Sequence, residues 1–361
     1  MRRAVIAAAA SLIVACSILT SFDGIEPREV SAPAEAAPDA EAAAPEAGCA
    51  PTRWPDPPAG SDTGRDVGEL ASAVTLLRIL DPIAEGKPQG YDLDGLCTCP
   101  DRPACGGPKP NEPCDPPDSG VDNVGDTLFR SLAGQGLALD DTGLQMGIQQ
   151  GQYGIIVRVT GYDGERNDPD VKVAVLNAAA VNGDGGVPRN DGADEWTVDT
   201  ESLLGTFPAY FSSRAYVVDG VLVAEMLRVV LRARIPIPNK KWGLVELDLR
   251  SAHLVARLGA RSARGIVLED GRIAGRIPEA AMLAQGMRSG ACRDSGLYEA
   301  LKPVVCAARD LPVDPAKDGR DQPCDSLSVG FGFTSGPAIL GPGSGTRVDE
   351  LPCPIVPDRC P

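Results

Sequence analysis

From Gln152 onward, apolar residues fall on every second position. Tyr153-Gly-Ile-Ile-Val-Arg-Val-Thr160 and Val171-Lys-Val-Ala-Val-Leu176 alternate as strands with one buried face do. Two β-branched runs flank Asp219-Gly220, the dipeptide of a two-residue hairpin turn. The pattern returns about Asp270-Gly271, so a second hairpin is expected at residues 265–274. Residues 227–237 and 245–258 between them are also strand-like. Six or more such strands in an antiparallel meander bury one face only by forming a sandwich or closing into a barrel. The expected fold class is therefore mainly β with a few short helices, a β-rich α+β chain built on a sandwich or barrel-like meander.

The flanks carry other periods. Residues 69–80 satisfy helix and strand spacing alike and read as a strand beside so much β structure. Leu128, Phe129 and Leu132 fall on one side of a short helix over 124–132, opened by Asp122 or Asn123 as cap, and a second helix is expected at 142–150. Pro278 at a first turn and Gly290 past the end bound another. Residues 295–309 continue helically, with Leu297, Leu301, Val304 and Val305 as the buried side. A last strand at 326–334 carries glycines where a neighbouring backbone can approach closely.

Composition then sets the compartment. Met1-Arg-Arg and the apolar run after it form a signal peptide over residues 1–15, ending in Ile13-Val-Ala-Cys16. That tetrad resembles the lipobox of bacterial lipoprotein precursors, which implies lipidation of Cys16 and a place in the bacterial envelope, the outer membrane first, or secretion if Cys16 is not lipidated. Residues 16–66 are then the lipidated N-terminus and an Ala/Pro/Glu tether with too few large apolar residues to order itself. Residues 67–361 form a single disulfide-linked body: a Cys-rich loop at 90–123, strands over 152–275, helices over 278–309, and a last strand with a stapled tail at 324–361. The net charge of −16 and the lack of a basic cluster exclude a nucleic-acid surface. No glycine-rich phosphate loop marks a nucleotide site.

Eleven cysteines in an exported chain read as a disulfide framework rather than as zinc ligands, and Cys97-Thr-Cys99 is too closely spaced for a zinc knuckle. With Cys16 lipidated, ten remain. Cys49, Cys97, Cys99, Cys105 and Cys114 precede the strands, and Cys292, Cys306, Cys324, Cys353 and Cys360 follow them. If all ten pair, an odd group of five cannot pair within itself, so at least one bridge joins the two ends of the body.

The Cys-rich loop also concentrates carboxylates. Asp92-Leu-Asp94-Gly95 places two of them ahead of a tight turn, and Asp118, Asp122 and Asn123 return to the same region. The spacing departs from an EF-hand at Leu96 and Pro103, which leaves a non-EF Ca2+ site as the sharper reading and Asx-turns with helix capping as the plainer one. The sole histidine, His253, lies in a strand-like run with no Gly-x-Ser-x-Gly elbow, which points to a structural or surface histidine. Trp196, Tyr210, Phe211 and Tyr216 form either a sugar-stacking platform or ordinary core. Glu246, Asp248 and the acids between Asp163 and Glu195 include candidates for a glycosidase pair.

The run Gly90-Tyr-Asp-Leu-Asp-Gly-Leu-Cys-Thr-Cys99, the later Cys, Asp-Asn and a Gly-Gln-Tyr-Gly strand resemble uncharacterised cysteine-rich lipoproteins of myxobacteria over most of residues 70–335. That resemblance brings no activity with it. The expected function is a non-catalytic, lipid-anchored binding or surface-structural module, Ca2+-stabilised, that meets a glycan or an envelope protein. The alternative is a carboxylate-based hydrolase of an extracellular polymer.

Overall fold

The chain after Gln152 does fold as an antiparallel meander, and its strands pair all the way round. The computed structural model describes residues 52–60, 64–79, 89–99, 104–106, 115, 119–134, 140–183, 186–237, 240–262, 265–319, 322–345 and 352–361. The signal peptide, Cys16, most of the tether, Cys49, Cys114 and Asp118 lie outside them.

In chain order the elements are β1 (Leu70–Arg78), α1 (Val124–Gly134), α2 (Asp141–Gln149), β2 (Gly154–Thr160), β3 (Asp168–Val181) and β4 (Glu195–Asp199). A short hairpin follows, β5 (Leu203–Leu204) and β6 (Phe207–Pro208), and then β7 (Phe211–Val218), β8 (Val221–Ile237), β9 (Lys240–Ser262) and β10 (Gly265–Pro278). The chain ends with α3 (Glu279–Arg288), α4 (Gly296–Ala307), β11 (Ser326–Pro337) and β12 (Ile339–Ser344).

Ten strands share one sheet, and an extra pairing of β3 with β7 joins its distant parts. The ring β1-β2-β3-β7-β8-β9-β10-β11 is antiparallel throughout, and β1 pairs with β11 to complete it. Alternation decides what the ring encloses. Val74, Leu77, Ile155, Val157, Val175, Leu231, Leu254, Ile273 and Phe333, from seven of the eight strands, leave between them a void of only about 10 Å3. The interior is a packed core, as expected of a small barrel.

Strand β3 is long enough to serve two partners. Its first half pairs with β7 and its second half with β4, so the sheet forks there. Parallel pairing of β12 with β4 extends the fork and makes the sheet mixed. Trp196, Val198 and Ala338 on the fork cover Ala71, Ala73, Ile156 and Leu176 on the outside of the ring, forming a second core. Where β3 leaves β7, Asn177 does the work of the missing backbone. Its side chain donates to Val230 O at 2.8 Å and accepts from Arg232 N at 2.9 Å, both on β8.

Helix α2 contacts β1 and β8, which stand opposite each other in the ring, so it lies across one mouth of the barrel. It carries Leu144 and Ile148 into the main core, and Asp140 caps it by accepting from Gly143 N at 2.8 Å. Helix α1 packs on β11, capped by Asn123 rather than Asp122. Helix α4 packs on α3, where a Cβ on Gly286 would stand 2.2 Å from Leu301.

One turn is a correction. Asp219-Gly220 makes the expected hairpin between β7 and β8, with both residues at positive φ. Asp270-Gly271 does not reverse the chain. Asp270 has φ +48°, yet β10 runs straight through as a bulge paired with β9 on one side and β11 on the other. Partners on both flanks leave no room for a reversal, and Gly271 is needed because a Cβ there would meet the Phe333 ring at 2.5 Å.

Three disulfides are defined. Cys292–Cys353 and Cys306–Cys360 fasten the tail to the region of α3 and α4. Cys105–Cys324 joins the Cys-rich loop to the segment ahead of β11, across 219 residues. Cys97 and Cys99 are also disulfide-bonded.

Candidate metal centre

The Cys-rich loop has little apolar content, and polar ties lay it against the outside of β10 and β11. Gly330 on β11 admits it, because a Cβ there would stand 2.3 Å from Gln89 O. This is the close backbone approach expected of the glycines in that strand. Asn123 holds the same crossing through Gln89 O at 2.8 Å and the Gly330 backbone. Arg276, 1% exposed, donates to Leu93 O at 3.0 Å and to Asp318 at 2.6 Å.

Three carboxylates converge inside this frame. Asp92, Asp94 and Asp122 each offer an oxygen within 4.8 Å of the others. Ligands of one Ca2+, at about 2.3–2.6 Å from the ion, stand up to about 5 Å apart, so oxygens this close can share one ion. The outward oxygens are occupied by turns: Asp92 Oδ1 accepts from Gly95 N at 2.5 Å, Asp94 Oδ1 from Leu96 N at 2.7 Å, and Asp122 Oδ2 from Leu93 N at 2.6 Å. Asp92 Oδ2 and Asp94 Oδ2 are buried without a hydrogen-bond partner. The Asp92 side chain is 0% exposed, and among the described residues the only cation paired with it is Arg53, half exposed and 3.9 Å away.

Burial raises all three acids. Asp94 is pushed up to about 8, with Asp92, Asp318 and Asp115 adding repulsion. Asp92 rises through burial against the pull of the Gly95 amide and Arg53. Asp122 is driven well above the carboxylate range by burial and by Asp94. Among the described residues, two buried acids and one half-buried acid against one half-exposed guanidinium form a site short of positive charge.

Of the residues expected at this site, Asp92, Asp94 and Asp122 come together and Asp118 lies outside the described residues. Asn123 is committed instead to the loop crossing and to capping α1.

A second support was not anticipated. Residues 52–58, assigned by composition to the tether, lie over the outer face of the ring. Asp92 N donates to Thr52 O at 3.0 Å, Trp54 stacks on His253 with centroids 3.6 Å apart, and the Tyr216 hydroxyl donates to Pro55 O. Trp54 and Leu93 cover Tyr91, Tyr216, Val223, Val255 and Ala274. A lone tryptophan within a proline-rich segment was the available signal. His253 packs beneath Trp54, and its pKa is pushed down to about 4 by burial and by Arg276.

The remaining candidates scatter. Trp196, Tyr210 and Tyr216 are buried in three separate clusters, and only Phe211 is exposed. Glu246 is held by Arg232 and Arg288, and Asp248 by Arg228 and Arg250. Among the described residues no helix is long and apolar enough to cross a membrane. No protein-family model matches the chain, and neither a curated protein nor a solved structure matches it significantly.

Proposed function

We propose that the protein is a non-catalytic binding or surface-structural module outside the cytoplasm, anchored by lipid at Cys16. In this reading a divalent cation, Ca2+ by its preference for carboxylate oxygens, locks the Cys-rich loop. The partner class is a glycan or an envelope protein. The observation that carries the cation is the pair of buried oxygens without a hydrogen-bond partner on Asp92 and Asp94, two of the three carboxylates that converge within 4.8 Å. The strap and the loop meet there through Thr52 and Asp92, so the ion would tie the start of the body to its wall. The disulfides fit an oxidising compartment.

Thermal melts test the cation. Ca2+ should raise the melting temperature above that in EDTA by several degrees. Asp94→Asn should remove that difference and, in EDTA, melt above the parent, since it deletes one uncompensated carboxylate. Equal melts of the parent chain in Ca2+ and EDTA would refute the cation site. Hydrolysis of any member of a polysaccharide panel by the purified chain would refute the non-catalytic reading.

A further inference from the structure

Below the fork, where β3 pairs with β7, the outer wall of the ring carries a cavity of about 580 Å3. Its floor is Val173, Ala174 and Ser212, and the β5–β6 hairpin overhangs it with Leu204, Phe207 and Pro208. Gly205, at φ +66°, opens the tight turn that projects this hairpin. Leu204 and Phe207 are cross-strand partners at the tip and are 67% and 73% exposed; Phe211 beside them is 57% exposed. A two-residue pairing gains nothing in stability from large apolar side chains left in water. Leu204 and Phe207 nevertheless line a concave site whose volume lies in the range of about 300–1,000 Å3 typical of small-ligand pockets.

The charge at this site is opposite to that of the chain. The protein carries −16, yet the polar lining residues are Arg158, Lys172, Thr160 and Ser212, with no carboxylate among them. Glu69 shares Arg158 at 3.6 Å, and among the described residues no carboxylate pairs with Lys172. An apolar trough with cations at its edge complements a molecule with an apolar body and an anionic head.

We infer that this cavity binds a single-chain anionic amphiphile, a long-chain carboxylate, with its chain under the β5–β6 hairpin and its head at Lys172 and Arg158. The inference rests on the reading of the chain as a binding module and supplies a ligand class for it. A membrane surface is the less suitable occupant, because it would meet the hairpin tip but would not fill the trough behind it.

Calorimetric titration of the full chain with laurate, and with dodecyltrimethylammonium as a probe of equal chain length and opposite charge, tests this below the micellar concentration of each. Laurate should bind saturably at one per chain, and the ammonium probe about tenfold or more weaker. Lys172→Glu should weaken laurate about tenfold and narrow or invert the preference. The double variant Leu204→Ser, Phe207→Ser should weaken both probes about tenfold; all these positions are exposed, so the melting temperature should not change. Absence of saturable laurate binding, equal binding of the two charges, or unchanged affinity in the double variant overturns the inference. Sedimentation with phosphatidylglycerol vesicles without laurate uptake would overturn it in favour of a membrane contact. A chain that captures an envelope partner but not laurate would sink this inference alone and leave the binding module standing.

Discussion

Asn177 shows how much can depend on one side chain at the point where the ring would otherwise gap. Strand β3 turns away from β7 there, and the Asn177 amide bonds to one carbonyl and one amide of β8, with Ser202 Oγ accepting from the Asn177 backbone N–H and side-chain amide. Asn177→Ala leaves both β8 groups buried and unpaired, so a loss of about 2–4 kcal/mol is expected by denaturant melts. Asn177→Asp should not rescue it, because a carboxylate cannot donate to Val230 O. Nothing in the sequence marks this residue, which follows Val171, Val173 and Val175 on the inward side of β3. Gly330 is of the opposite kind: its place in a Gly-rich strand announced a close approach, and the structure supplies the Gln89 backbone that approaches.

At the scale of elements, the strap over 52–58 is held by stacking and burial rather than by regular structure. His253 beneath Trp54 stays neutral down to about pH 4, whereas in the unfolded chain it takes a proton near its ordinary value of 6.5. Between those values the unfolded state binds the additional proton, so stability contributed through His253 falls as pH drops from 6.5 to 4 and is absent below that. The full effect is at most about 3 kcal/mol. His253→Gln should flatten that limb of the stability profile relative to the parent, compared at one fixed Ca2+ concentration because the loop carboxylates titrate in the opposite sense. Identical slopes for the two proteins would show that the strap does not enclose the imidazole. The helices and most strands were legible as elements because each has its own period and caps. Strands β4 and β12 were not: β4 is short and follows directly on the acidic, Gly-rich stretch 182–194, and β12 lies in a Pro/Gly-rich stretch and pairs with β4.

For the whole molecule, the bridge from Cys105 to Cys324 closes the longest covalent loop among the defined disulfides, and it links the Cys-rich loop to the approach of β11. Non-reducing peptide mapping should recover those two cysteines in one cystine peptide. Replacing both with serine should cost about 2–4 kcal/mol and weaken the Ca2+ effect on melting, since Asp310 beside the bridge, Arg276 and Asp318 frame the same loop. A double variant with unchanged stability and unchanged response to Ca2+ would separate the bridge from the site.

By itself the sequence determined what local chemistry can determine: the period-two strands, the helix caps, the Asp219-Gly220 turn, the crowding of acids and cysteines into one loop, and the parity that calls for a long-range bridge if all ten body cysteines pair. Tertiary structure decided everything that depends on which strands meet. Pairing of β3 with β7 chose a ring where sandwich and barrel were equally open, and two flanking partners turned Asp270-Gly271 from a reversal into a bulge. The same packing brought Asp92, Asp94 and Asp122 together among the described residues and left one oxygen each of Asp92 and Asp94 without a hydrogen-bond partner. Spacing along a chain limits only near neighbours. The approach of Asp122 to Asp92, and of the strap to both, is set by distant strands that bury them together.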